Sequence, residues 1–147
     1  MTAWLLDTNI LLRLAEQNAP EHPQVRAAVT ALMARGDELH LAPQALIEFW
    51  VVATRPVLVN GFGWEPATTA AAMGGLLRQF PILDEGPSVF AIWLQLVSTG
   101  IRGKRAHDMR LAAVAIANGV SHILTLNTAD FTGIPGIVQM HPNAIAP

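Results

Sequence analysis

The sequence predicts a three-layer α/β fold, with a central parallel sheet of four or five short strands flanked by helices. Three observations predict it. Short apolar runs such as Trp4-Leu5-Leu6 stop at turn-forming residues, as buried strands do. Between them lie longer stretches with apolar residues at helical spacing. The two kinds alternate along the chain, which calls for crossover connections and hence a parallel sheet covered on both faces.

Trp4 to Leu6 reads as the first strand, and Thr8 as the N-cap of a helix from about Asn9 to Glu16. Pro23 suits the first turn of a second helix that runs to about Ala34 and ends at Gly36, with Val25, Val29 and Leu32 on one face. Leu39 to Leu41 is a short strand. Pro43 opens a helix that continues to about Ala53, where Arg55-Pro56 ends it, because the residue before proline disfavours helical geometry. Val57 to Trp64 reads as an irregular loop and Pro66 to Arg78 as an alanine-rich helix. Phe80 to Leu83 is a further strand candidate. Pro87 to Ser98 is a helix stopped by Gly100, and Ile101 to Ala106 a basic loop. His107 to Asn118, stopped by Gly119, is the clearest helix. His122 to Leu126 is a buried strand, Asn127 to Thr132 a turn, Gly136 to Met140 an edge strand, and the rest a proline-containing tail.

A chain of 147 residues fits one domain, 1–147, with a substantial core. With 52% hydrophobic and 14% charged residues it is a globular sequence and not a disordered one. The absence of cysteine excludes disulfides, thiolate zinc sites and a cysteine nucleophile. Met1-Thr2-Ala3-Trp4 lacks the basic start of a signal peptide, and no run reaches the ~18 apolar residues of a membrane span. A cytoplasmic protein without membrane association is expected. The net charge of −2 excludes a polycation, yet Arg102, Lys104, Arg105 and Arg110 gather around Asp108. They form either a phosphate-binding patch or a solvated loop and helix end.

Four acids carry the chemistry. Asp7-Thr8-Asn9 puts a carboxylate at the carboxyl tip of the first strand, where open α/β sheets bind ligands. Buried there, it needs a cation or hydrogen-bond donors; a capping aspartate is the plainer reading. Glu48 shares a polar helical stripe with Gln44 and Arg55, which faces either the site or water, or pairs Glu48 with Arg55. Asp108 lies in the first turn of the clearest helix, where the dipole alone favours an acid. Asp130 follows the strand in Leu124-Thr125-Leu126-Asn127-Thr128-Ala129-Asp130-Phe131 and could equally be a turn aspartate. Together they suggest oxygen ligands for a hard divalent ion. Asn9 can donate to a neighbouring carboxylate and fix its rotamer; Thr8, Thr125 and Asn127 stand at the same edge. The five histidines show no zinc spacing, and no Walker loop or dinucleotide fingerprint occurs.

In order and spacing these residues resemble the PIN-domain family, and among it the VapC-type toxins of bacterial toxin–antitoxin pairs. The resemblance covers nearly the whole chain. It rests on Leu5-Leu6-Asp7-Thr8-Asn9, Glu48, Asp108 and the stretch Leu124 to Phe131, with Ala53-Thr54-Arg55-Pro56 and Asn60-Gly61 as in a subgroup. It implies a PIN-like fold, a Mg²⁺ (or Mn²⁺) cofactor, endoribonuclease activity on RNA, a homodimer and a cognate antitoxin protein. Asp7, Glu48 and Asp108 match the family's firmest acids. Members often carry an acid near Asn127, where Asp130 is the acid available here.

The expected mechanism is hydrolysis of RNA phosphodiesters, with Asp7 and Asp108 as direct metal ligands and Glu48 binding metal or orienting water. Asp130 would complete the cage or act through water, and the four basic residues would hold RNA phosphates. Two alternatives are a non-catalytic RNA- or protein-binding module on the same fold and a metal-dependent phosphatase of small substrates. The lack of an Asp-x-Asp pair at Asp7 and Asn9 argues against an aspartyl-phosphate route for the latter.

Overall fold

The structure is a computed structural model that describes residues 1–145. The last two residues of the expected tail and domain, Ala146 and Pro147, lie outside the described residues. In chain order, β1 (Ala3–Leu6) leads into α1 (Thr8–Ala15) and α2 (His22–Ala34), then β2 (Glu38–His40). Next come α3 (Pro43–Thr54), α4 (Pro66–Gln79), α5 (Ser88–Val97) and α6 (Arg105–Ala117). The chain closes with β3 (His122–Leu124), β4 (Val138–Met140) and a short 3-10 turn, Pro142–Ala144, which packs on α2.

All three strand pairings are parallel, in the order β2-β1-β3-β4. Of the four or five strands expected, four form among the described residues. The fifth, at Phe80 to Leu83, contributes one bridge, Leu41 to Ile82. Leu41 donates to the Pro81 carbonyl and Leu83 donates back to Leu41. The ladder goes no further, because Pro81 has no N–H and Pro43 starts a helix two residues on.

The core is built around β1. Trp4, Leu5 and Leu6 are buried, as befits an interior strand with helices over both faces. Trp4 Nε1 donates to Asp37 Oδ2 at 3.0 Å, and the Thr2 N–H donates to Asp37 Oδ1 at 3.0 Å. Burial raises the Asp37 carboxyl, but the bonds from Thr2, Trp4 and Arg35 outweigh it and hold it below the usual range. This clamp fixes the start of β1 in register, with Ala3 opposite Glu38 and Trp4 opposite both Leu39 and His122.

The stretch from Val57 to Trp64 is more ordered than an irregular loop. It opens with a 3-10 turn at Val57–Val59 and passes through Asn60 at φ +65°. It then folds back over the carboxyl end of α3. Phe62 donates to the Val52 carbonyl, Gly63 to Arg55 and Trp64 to Ala53, which supplies partners that the last turn of α3 lacks.

Chain connections leave β1 in one direction to β2, while β3 joins on its other side. That reversal opens a crevice beyond the carboxyl ends of β1 and β3. Asp7 and Thr125, the residues that follow those two strands, stand at its floor.

Candidate active site

Asp7 caps α1 itself. Its Oδ1 accepts from the Thr8 N–H at 2.7 Å, so Asp7 and not Thr8 is the N-cap. The extended backbone of Asp7, at ψ 158°, points its carboxylate back over the new helix. The Thr8 hydroxyl is thereby free, and it donates to Glu48 Oε2 at 2.8 Å. The other Asp7 oxygen, Oδ2, accepts from Thr125 Oγ1 at 2.7 Å and from Asn9 Nδ2 at 3.2 Å. Asn9 is itself fixed: its Oδ1 accepts from the Leu126 N–H at 3.1 Å. The amide therefore stitches the ends of β1 and β3 together and presents its nitrogen to the acid.

Glu48 is half-buried on α3, with Thr8 on one oxygen and Gln44 Nε2 on the other at 3.1 Å. Arg55 does not join the stripe; it donates to the Asn60 carbonyl at 2.9 Å. Asp108 lies in the first turn of α6, which begins two residues earlier than the sequence suggests, at Arg105. Among the described residues it accepts no hydrogen bond and caps nothing. The start of α6 is held from outside by Trp93, whose Nε1 donates to the Ala106 carbonyl at 2.8 Å. Asp130 is half-buried in a 3-10 turn (Thr128–Phe131) that packs on α6, and among the described residues its side chain bonds no backbone group.

The four acids share one electrostatic neighbourhood. Burial pushes the Asp7 carboxyl up to about 6 against the bonds from Thr125 and Thr8, and the charges of Glu48 and Asp130 push it the same way. Burial also raises Asp108 to about 6, with the charges of Asp130, Asp7 and Glu48 adding to it and Arg105 opposing. Yet none of the four stands within 4 Å of a cationic nitrogen among the described residues. The mutual repulsion of these carboxylates is therefore not relieved by an ion pair among the described residues.

A PIN-domain family model matches residues 4–135. The chain belongs to the PIN-domain family. Its relatives include a protein named Ribonuclease VapC24 from Mycobacterium tuberculosis, 27% identical over 129 residues, which spans 86% of this chain and 88% of the relative. The fold of this PIN domain matches VapBC2 from Rickettsia felis bound to a promoter DNA fragment, with TM-score 0.72, 17% identity, and 95% and 98% of the two chains covered. It also matches DNA-bound VapBC from Salmonella typhimurium, with TM-score 0.70, 22% identity, and 97% and 99% covered.

The donor set of this PIN domain suits a hard cation, since every candidate ligand is a carboxylate oxygen. Among the described residues, no group of three His, Cys, Asp or Glu side chains is arranged to hold a metal ion by itself. Mg²⁺ asks less of a protein, since it usually takes one or two carboxylates and completes its shell with water and substrate phosphate oxygens. The charge of Asp130 reaches both Asp7 and Asp108. Asn127 is exposed, and its backbone N–H donates to Thr125 Oγ1 at 2.9 Å.

The basic residues divide. Arg102, Lys104 and Arg105 are exposed beside the site, with Arg105 donating weakly to the Asp130 carbonyl at 3.4 Å. Arg110 differs from the expectation of a free phosphate ligand. Its two terminal nitrogens are committed, one to Gln44 Oε1 at 3.0 Å and one to Glu85 at 2.8 Å. Gln44 is the residue whose contacts the sequence left unread. Its one signal is the four-residue spacing to Glu48 on a helix.

Proposed function

We propose that this PIN domain is a metal-dependent endoribonuclease and the toxin of a toxin–antitoxin pair. The observation that carries the reading is the cluster of Asp7, Glu48, Asp108 and Asp130 at the sheet's carboxyl edge, where burial and the neighbouring acids raise Asp7 and Asp108 and, among the described residues, no cationic nitrogen comes within 4 Å. The likeness to a ribonuclease and to toxin–antitoxin complexes supports the substrate and the partner. On this reading the chain works as a homodimer until its antitoxin covers it.

Asp7 and Asp108 would hold Mg²⁺ or Mn²⁺, with Glu48 as a further ligand or the orienter of water. When bound, the ion polarises the scissile phosphodiester and lowers the pKa of an attacking water. The chain's own residues do the rest. Thr125 and Asn9 hold one oxygen of Asp7 while the Thr8 N–H holds the other, so the carboxylate needs no reorganisation to receive a cation. Thr8 and Gln44 do the same for Glu48. Exposed Arg102, Lys104 and Arg105 hold RNA phosphates at the rim. Attack by water leaves a 5′-phosphate and a 3′-hydroxyl and does not involve the 2′-hydroxyl.

The test is RNA cleavage by protein purified free of antitoxin. Cleavage that needs Mg²⁺ or Mn²⁺, stops with EDTA and leaves 5′-phosphate ends supports the proposal. RNA binding without cleavage and without divalent-ion binding would replace it with a non-catalytic binding module.

A further inference from the structure

Gln44 is 7% exposed and sits four residues before Glu48 on α3. A buried primary amide needs partners for both its ends, and this one has them. Its Nε2 donates to Glu48 Oε1 at 3.1 Å and to the His107 carbonyl at 2.8 Å. Its Oε1 accepts from Arg110 Nη1 at 3.0 Å, and Arg110 is anchored in turn by Glu85 at 2.8 Å.

This arrangement admits one orientation. A guanidinium only donates, so the end of the amide facing Arg110 is oxygen. The nitrogen end then faces two acceptors, a carboxylate oxygen and a carbonyl. Because Thr8 holds the other oxygen of Glu48, the carboxylate is fixed at both ends. The His107 carbonyl belongs to the residue just before Asp108. One amide therefore ties an acid on α3 to the turn of α6 that carries another. It also links Arg110 to Glu48, and among the described residues the guanidinium pairs with Glu85 and not with that carboxylate.

We infer that Gln44 is a positioning residue for the acidic site. It sets the rotamer of Glu48 and the placement of the Asp108 turn relative to it, and it keeps Arg110 from neutralising Glu48. The inference rests on the nuclease reading above. An apolar side chain of equal size would fill the space but leave the His107 carbonyl and Glu48 Oε1 without their donor. A glutamate at the same place would still accept from Arg110 but would oppose two acceptors with an oxygen.

The experiment compares full-length wild type with Gln44→Met and Gln44→Glu. It measures Mn²⁺ affinity by calorimetry, kcat and KM for RNA cleavage, and the melting temperature. Both variants are expected to lose about tenfold or more in Mn²⁺ affinity and in kcat, with RNA KM within twofold. A folded Gln44→Met with wild-type Mn²⁺ affinity and kcat overturns the inference, even if its melting temperature drops. If Gln44→Met does not fold, Gln44→Glu decides on the same readouts. A wild-type chain that cleaves RNA while the variants match it removes the positioning role alone. A wild-type chain that neither binds Mn²⁺ nor cleaves removes the nuclease reading together with it.

Discussion

At the scale of single residues, Asp7 has two structural jobs on one carboxylate. It caps α1 through one oxygen and anchors Thr125 and Asn9 through the other. Asp7→Asn keeps the shape but loses the charge, and its NH₂ would have to face donors. Its RNA cleavage is expected to fall at least about 100-fold, beyond the lower range seen when only a supporting hydrogen bond is lost. Product assays on folded protein check this. Asp108 accepts no hydrogen bond, so it gives the cleaner test of charge. Burial, and after it the charges of the neighbouring acids, raise its carboxyl in the folded chain to about 6, above the usual 3.8. Between those values the folded chain binds more protons than the unfolded one, so stability from this group falls as pH rises and is lost above about 6. Asp108→Asn, in EDTA, is therefore expected to melt about 1–3 °C higher than wild type at pH 7.5 and to match it near pH 4. Calorimetric scans at the two pH values decide it, and a gain at pH 4 alone would reverse the sign. Asp7, Asp108 and Asp130 were legible in the sequence because each follows a strand or opens a helix, and Glu48 because it lies on a polar stripe with Gln44 within α3. Gln44's role was not, because its partners His107 and Arg110 lie 63 and 66 positions away.

At the scale of elements, the alternation of apolar runs and amphipathic stretches was enough to place six helices and four strands, mostly within two residues. The exceptions have identifiable physical causes. The fifth strand stops at one bridge because Pro81 cannot donate. The start of α6 at Arg105 escaped notice because it rests on Trp93 bonding the Ala106 carbonyl, a contact between elements that no local pattern encodes. The loop after α3 carries backbone constraints that composition only hints at. A β-carbon at Gly61 would run into the Arg55 carbonyl, and this backbone atom cannot move without disturbing the end of α3. Gly61→Ala is expected to destabilise the fold by about 1–3 kcal/mol through overpacking. Urea unfolding should show a lower midpoint at unchanged slope.

At the scale of the molecule, a cluster of unneutralised acids makes stability depend on ions. Anything that binds the folded site and not the unfolded chain raises the melting temperature by mass action. Millimolar Mg²⁺ or Mn²⁺ is expected to raise it at pH 7.5. The rise should shrink at pH 5, where Asp7 and Asp108, both titrating near 6, hold protons that compete with the ion. Monovalent salt at equal ionic strength is the control. No helix among the described residues is long and apolar enough to cross a membrane. Ile47 and Val51 on α3, Leu58 in the loop and Phe90 on α5 are apolar and exposed, surface that sedimentation can compare with the proposed homodimer. The hydrogen bonds that clasp the first strand's acid have a temporal consequence. Thr125 reaches Asp7 across 118 positions and Leu126 reaches Asn9 across 117. During translation, β1 leaves the ribosome long before its clasp has been made. A nascent polypeptide ending at Gly119 carries Asp7, Glu48 and Asp108 but lacks β3, Thr125 and Asp130. The clasp on Asp7 can therefore form only once Thr125 and Leu126 have been added to the chain, 118 positions and 117 positions after the residues they hold.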